Sequence, residues 1–351
     1  MDIQDKVALV QLSISKWQAR KTDKRANSAV SKEFKSKEGS TSTHKALIAR
    51  ESLQKVLSAF DDIRTYHYAH TMPYQVKGYA VITNAIIPEY IKEFTVLKSK
   101  ANEKLEAFLV EYPALKEEAR ENLVDLFDPL EYPSVDKLRT KFNVSIEFTP
   151  VPKGSHLRIN VDQEDLADMQ AAIESKVKDS MADAINKLWD RAHDALAAVK
   201  ERLTIGPDGK TKLFKDTLVS NVIEVAELIP KLNFIDDQEL NDLAGQMIRD
   251  FKDLDPEALR NDNDVRKETS KKAENGLRRV KGHNVNTSSV FSVPEPEPEP
   301  EEEKEQIEKA PEPAPEPEPE KTTVNELTND EPKEAPANSA LLAKMAAMGL
   351  V

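Results

Sequence analysis

His67 and His70, three residues apart, are the first side chains of this chain that could do chemistry. On one helical face that spacing would offer two imidazoles to a metal ion, and Asp61 and Asp62 are close in sequence. A zinc site needs a third ligand at a workable spacing, and the sequence supplies none. Pro73 and the tyrosines around it put both histidines in a loop or at a helix end, where imidazoles cap or hydrogen-bond instead. Gly206-Pro207-Asp208-Gly209-Lys210 holds glycines and a lysine without the phosphate-loop spacing, and reads as a turn. Asp236-Asp237 reads as a helix start, where carboxylates accept otherwise unpaired backbone N–H groups. The pattern of a calcium loop is missing around it.

There is no cysteine. That removes disulfides, thiolate nucleophiles and thiolate metal sites, and it fits a reducing compartment. The Gly-x-Ser-x-Gly, His-Glu-x-x-His and Gly-x-Gly-x-x-Gly patterns are absent as well. The expectation is a protein that is not an enzyme, with no catalytic residues, no cofactor and no metal. A metal-dependent hydrolase built on His67 and His70 is the weakest of three readings.

Two stretches are basic. One holds Lys16, Arg20, Lys21, Lys24, Arg25, Lys32, Lys35 and Lys37; the other holds Arg260, Arg266, Lys267, Lys271, Lys272, Arg278, Arg279 and Lys281. Spread along helices, such residues form a solvated face; gathered in space, they contact phosphates and bind nucleic acid in a salt-dependent way. The candidate contacts are Arg20, Lys21, Lys24, Arg25, Arg266, Lys267, Lys271, Arg278 and Arg279. The chain's formal charge of −13 does not argue against them. From Lys281 onward there are 16 acidic and 6 basic residues, a net of −10, which leaves only −3 for residues 1–280. A global acidic balance therefore says little about what the body binds. Trp189 falls on an apolar stripe and reads as core, whereas Trp17 is open to either packing or stacking.

The elements that must position these groups are mostly helices. Val7 to Ile14 carries two partly apolar faces, which suits a strand buried on both sides or a short helix. A weak helix is expected near residues 26–35, and a clear one after Thr43 with Leu47, Leu53, Val56, Leu57, Phe60 and Ile63 at spacings of three and four. A second starts near Pro88 and should end at Tyr112-Pro113, because the residue before proline avoids helical angles. Another runs to about residue 126, and a short one follows Pro133. Val144, Ile146 and Phe148 alternate with polar residues, as do Leu157, Ile159 and Val161. A short Gly154-containing connection between them predicts an antiparallel hairpin over 144–161. The N-terminal strand could join it as a third member. A helix from about 163 to 202 keeps a three-four apolar repeat, and a rod of roughly 60 Å must bury that stripe on other helices or on a second copy as a coiled coil. Helices near 214–229, 237–251 and 256–280 follow. The fold class expected is α+β, predominantly helical, with long amphipathic helices and a small antiparallel β-sheet.

The organisation read from composition is a helix-rich body over 1–282, a Pro/Glu-rich acidic linker over 283–337 and a short amphipathic helix over 338–351. Eleven of the 21 prolines lie beyond His283, where only one aromatic residue occurs, so no core could repay the ordering entropy and a disordered tether is expected. Leu341, Leu342, Met345 and Met348 form a small apolar face behind Ser339, which suits docking into a partner's groove as well as it suits a frayed end. No apolar run approaches the ~18 residues that span a bilayer. The start lacks a basic region followed by an apolar one. Both point away from a membrane and toward the cytoplasm.

The order of several pieces resembles a domain-of-unknown-function family found in bacteria and bacteriophages. They are Leu9 to Arg20, Tyr132 to Leu138, Pro150-Val151-Pro152, Leu157 to Val161, Leu188-Trp189-Asp190-Arg191, Phe214 to Val219 and Leu228 to Asn233. The likeness covers most of residues 6–280 and leaves out the tail. It implies no activity and no catalytic residues. Similar families often neighbour a MoxR-type AAA+ ATPase and a von Willebrand A domain protein, so the resemblance implies a non-enzymatic adaptor whose protein partner is of one of those kinds. A nucleic-acid-associated phage protein is the alternative. A homo-oligomer is compatible with either.

Overall fold

The computed structural model describes residues 5–37, 39–206 and 211–281. Strand β1 (Val7–Ser15) opens the chain, with Val7, Leu9 and Val10 fully buried, so both faces of its first half are covered. The chain leaves β1 through Ala19, whose φ of 49° is in the left-handed region that a Cβ disfavours. It then runs into β2 (Arg20–Thr22) and α1 (Lys24–Glu33), the weak helix expected near 26–35. Asp23 caps α1 by accepting from the Arg25 and Ala26 N–H groups at 2.9 and 3.1 Å. β3 (His44–Ala46) returns antiparallel to β2, with Lys21 opposite Lys45.

α2 (Arg50–Ala69) buries Leu53, Val56, Phe60, Ile63 and His67, the spacing of one helical face. β4 (Met72–Pro73) and β5 (Tyr79–Thr83) follow, then α3 (Ile87–Leu123), α4 (Val135–Arg139) and β6 (Asn143–Thr149). β4, β5, β1 and β6 form one antiparallel sheet in that order. The N-terminal strand is thus an inner member, with Val10 opposite Ala80 on one side and Leu12 opposite Ile146 on the other.

Two expectations are corrected here. The hairpin over 144–161 does not form: β6 pairs with β1, and Leu157 to Val161 is not a strand. Pro150 and Pro152 have no N–H to carry a ladder onward. Instead, residues 154–157 turn onto the long helix that follows, where the Gln170 side chain donates to the Leu157 carbonyl at 3.3 Å. A Cβ on Gly154 would lie 2.5 Å from the Gln170 carbonyl oxygen, so only glycine allows that approach. The second correction is that α3 continues through Pro113. A mid-helix proline forfeits a backbone hydrogen bond and costs ~3 kcal/mol or more in isolation. Here Phe108, Leu109 and Tyr112 are buried, and the Tyr112 hydroxyl donates to the Pro133 carbonyl at 3.1 Å. Packing before the proline, and of Ala119 beyond it, outweighs its local preference.

α5 (Gln163–Leu203) is the spine of the second half. From Val177 to Leu203 its stripe is covered within this chain by α6 (Thr217–Leu232) and, after α7 (Gln238–Phe251) and α8 (Pro256–Asn261), by α9 (Asn263–Lys281). That burial needs no second copy. Its first turns are different: Leu166 and Ile173 are half-buried and Met169 is 45% exposed. Trp189 is core, as its stripe predicts. One apolar cluster joins α5–α7, α9 and the sheet; a second joins α2, α3 and α4, and Ile146 of β6 packs against both.

Two arginines, Arg191 half-buried and Arg266 buried, fix the helix ends. Arg191 of α5 donates to the Tyr68 and Ala69 carbonyls at 2.8 Å each, and to that of Thr71, closing the C-terminus of α2. Arg266 of α9 donates to the Arg202, Leu203, Leu259 and Lys212 carbonyls at 2.8, 3.2, 3.3 and 2.6 Å, closing α5 itself. Neither meets a carboxylate in these contacts, and burial lowers the pKa of both guanidiniums below the usual arginine value. The carbonyls at a helix C-terminus carry partial negative charge and are otherwise unsatisfied, so they hold a cation without an acid.

Among the described residues no helix is long and apolar enough to cross a membrane. The proline-rich linker, the terminal segment with Leu341, Leu342, Met345 and Met348, and residues 207–210 lie outside the described residues. Ile205 and Thr211, on either side of the last of these, bridge antiparallel.

α9 can approach α5 closely because residue 276 has no side chain. A Cβ there would sit 2.7 Å from Leu196 Cδ1. We expect Gly276→Leu to destabilise the protein by about 1–3 kcal/mol, as overpacking of a filled core does, read as a lower urea midpoint at unchanged slope.

Candidate basic cleft

Among the described residues, three concavities compete as sites, and their charge balance separates them. One of about 560 Å³ near the end of α5 contains Lys200 and Lys212, but these pair with Glu274 and Glu201 at 3.1 and 2.9 Å. A second, about 650 Å³, is formed by Arg50, Glu51, Gln54, Lys55 and Ser58 along the solvated face of α2. The third, about 700 Å³, lies between the β2 end of the β-ribbon and the segment leading into α4, and its lining includes Trp17, Arg20, Lys21, Tyr132, Lys137 and Lys141. None of its four cations forms an ion pair among the described residues.

The local sequence builds this cleft from two walls. On one side, the left-handed turn at Ala19 carries the chain from Trp17 to Arg20, and the Leu47 N–H donates to the Ala19 carbonyl at 2.8 Å. Trp17 is half-buried and meets Tyr112 edge to face, ring centroids 5.9 Å apart. On the other side, Asp128 caps a short 3-10 turn over 129–131 and Ser134 caps α4. Tyr132 is buried, its hydroxyl donating to the Leu47 carbonyl at 2.7 Å, which ties this wall to the first. Lys137, exposed on α4, and Lys141, exposed just beyond it, line this side, whereas Arg139 between them is held away by Glu106 in a two-pronged pair at 2.9 and 2.8 Å. Leu130 also lines the cleft and is 91% exposed.

A buried lysine decides the sign of the field. Lys45 Nζ pairs with Asp23 at 3.0 Å and Glu131 at 2.7 Å and donates to the Leu126 carbonyl at 2.6 Å. Its side chain and that of Asp23 are each 5% exposed. Burial works against the Lys45 charge, but the hydrogen bonds with Glu131 and Asp23 outweigh it and raise its pKa. The Ala26 N–H, then Lys45, hold the Asp23 carboxyl below the ordinary carboxylate range. Glu131, which lines the cleft, and Asp23 are thereby engaged, and Arg20, Lys21, Lys137 and Lys141 form no ion pair among the described residues.

The structure brings together only part of the sequence-derived set. Arg20 and Lys21 line the cleft; Lys24 and Arg25 are exposed on α1 and do not, and Arg25 lies 3.9 Å from Asp23. The α9 set is not part of it. Arg266 is 2% exposed and cannot meet a phosphate, so that expectation is corrected: its guanidinium is taken up by the α5 carbonyls and lies over the Phe214 ring at 5.4 Å. Lys267 sits 3.6 Å from Asp264, Arg278 bonds Asn275, and Arg279 donates to Gln246 at 2.7 Å; of this set Lys271 alone is exposed without a partner among the described residues. Lys137, Lys141 and Tyr132 were missed. Three cations in the five residues Lys137-Leu138-Arg139-Thr140-Lys141 were the available signal.

His67 and His70 do not converge on an ion. The His67 ring nitrogen Nδ1 shares a 2.7 Å hydrogen bond with the Tyr90 hydroxyl, and His70 Nδ1 lies 2.9 Å from the Tyr66 carbonyl. Asp61 is paired with Lys16 at 2.6 Å. No group of three or more His, Asp or Glu side chains suited to a metal occurs among the described residues. Asp237 caps α7 as expected, accepting from the Leu240 N–H at 3.2 Å.

Burial lowers the His67 pKa from 6.5 to about 4, and burial also lowers that of His70. Unfolded, His67 binds a proton near pH 6.5; folded, it stays neutral until about pH 4. Within that window the unfolded chain holds the extra proton, so stability present above pH 6.5 is lost as pH falls. We expect a decline on the order of 2 kcal/mol between pH 6.5 and 4.5 in urea unfolding. His67→Gln should flatten it.

No protein-family model matches the chain, and neither a curated protein nor a solved structure matches it.

Proposed function

We propose that the chain is a non-enzymatic binding protein that associates with nucleic acid through the cleft between the β-ribbon and α4. The observation that carries this reading is one concavity lined by four exposed cations that form no ion pair among the described residues, beside two aromatic side chains. Some exposed cations are offset by neighbouring acids, as Lys187, Lys200, Lys212, Lys231 and Lys272 are, and others, such as Lys24 and Lys271, form no ion pair among the described residues but line none of the three concavities. Cations kept free around a concavity attract phosphates, and their counterions are released on binding. The near-neutral body limits the attraction to that locality.

An adaptor role beside a MoxR-type AAA+ ATPase or a von Willebrand A domain protein rests on the sequence resemblance alone. It is compatible with nucleic-acid binding, since a remodelling partner and a phosphate-bearing one would use different surfaces.

The test is anisotropy of labelled mixed-sequence DNA, single-stranded and duplex, at two ionic strengths. Lys137→Glu with Lys141→Glu should weaken binding at low salt by about tenfold or more, since charged contacts to phosphate dominate affinity. Arg278→Glu with Arg279→Glu should leave it nearly unchanged. The reverse pattern would move the interface to α9.

A further inference from the structure

We propose that the cleft takes a single strand, with one unstacked base against Trp17 and the flanking phosphates on Arg20 and Lys21 at one rim and Lys137 and Lys141 at the other. This rests on the nucleic-acid reading above and narrows it. A duplex keeps its bases paired inside and presents phosphates on a convex surface, so proteins meet it with a protruding helix, ribbon or arm. The element here is concave. Its volume of about 700 Å³ lies within the range of sites that enclose small ligands, which is enough for one or two nucleotides.

The chemistry of the walls matches a strand whose bases are free. Single-strand sites combine a positive groove that follows the backbone with aromatic side chains on which bases stack. Trp17 is half-buried and braced by Tyr112, so it offers indole surface that is already ordered. Leu130 adds exposed apolar surface at the same place. The other polar groups of the walls are already bonded: Tyr132 to Leu47, Thr140 to the Lys137 carbonyl, Ser134 to the Lys137 N–H and Glu131 to Lys45. The cations and the indole remain for a ligand. With the cations assigned to phosphates and the indole to a base face, the site should show little sequence preference.

The chain has two tryptophans, and Trp189 is buried, so fluorescence isolates the cleft. The full chain is titrated at low salt with an oligothymidylate of about eight nucleotides, a duplex of the same length, and tripolyphosphate. The strand is expected to quench tryptophan emission and to bind about tenfold more tightly than the duplex. Tripolyphosphate should bind without that quenching. By anisotropy, Trp17→Ala should lose about tenfold for the strand while Trp17→Phe keeps most of the affinity, and neither should alter tripolyphosphate binding. Equal binding of strand and duplex with silent emission overturns the stacking proposal and leaves the nucleic-acid reading standing. Binding of neither, at any salt, overturns both.

Discussion

The structure around the cleft depends on one buried ammonium. Lys45 sits on β3, yet its ammonium pairs with the α1 cap Asp23 and with Glu131 and donates to the Leu126 carbonyl, which belong to distant parts of the chain. Removing one partner from a buried ion pair strands the other charge and is strongly unfavourable, so the contacts hold as a set. They also set the electrostatics. Many exposed lysines and arginines here, such as Lys24, Lys55, Lys92 and Lys271, form no ion pair among the described residues. What sets the cleft apart is that four such cations share one concavity, while Lys45 engages Glu131 in its lining and Asp23 beyond it.

The second half of the molecule gives the cleft a rigid support. α5 sends Arg191 to close α2 and receives Arg266 to close itself, in both cases through backbone carbonyls. α2 and α3 then pack against each other, and the core they form with α4 includes Tyr112, Tyr132 and Leu138 beneath the cleft. β1 and β6 join the two cores. A change that loosens α5 should therefore reach the cleft through packing, without any contact to it.

The features legible in the sequence were those set by local periodicity. The stripes of α2 and α5, the strand character of Val7 to Ile14 and of Val144 to Phe148, the Asp237 cap and the burial of Trp189 all follow from spacing and from the chemistry of single residues. The features that were not legible depend on partners far away in sequence. Leu157, Ile159 and Val161 alternate like a strand, but Pro150 and Pro152 interrupt the ladder beyond β6, and Gly154 lets the following residues turn onto α5. Pro113 should end a helix, yet Phe108 and Tyr112 are fixed in the core on its N-terminal side. Arg266 is indistinguishable by sequence from the exposed cations of α9; only the fold places unsatisfied carbonyls around it. Half of the cleft was visible as Arg20 and Lys21. Lys137 and Lys141 were not, because nothing local distinguishes a lysine with an acid neighbour in space from one without.

The salt dependence of strand binding tests the account most directly, because it counts phosphates neutralised. Each contact to a single strand contributes about −0.7 to the slope of log affinity against log salt, so four cleft cations predict a slope of roughly −3. Replacing Lys137 and Lys141 with glutamine should bring it to roughly −1.5. A slope near zero, or one that those two substitutions leave untouched, contradicts the claim that these lysines are held free for phosphate.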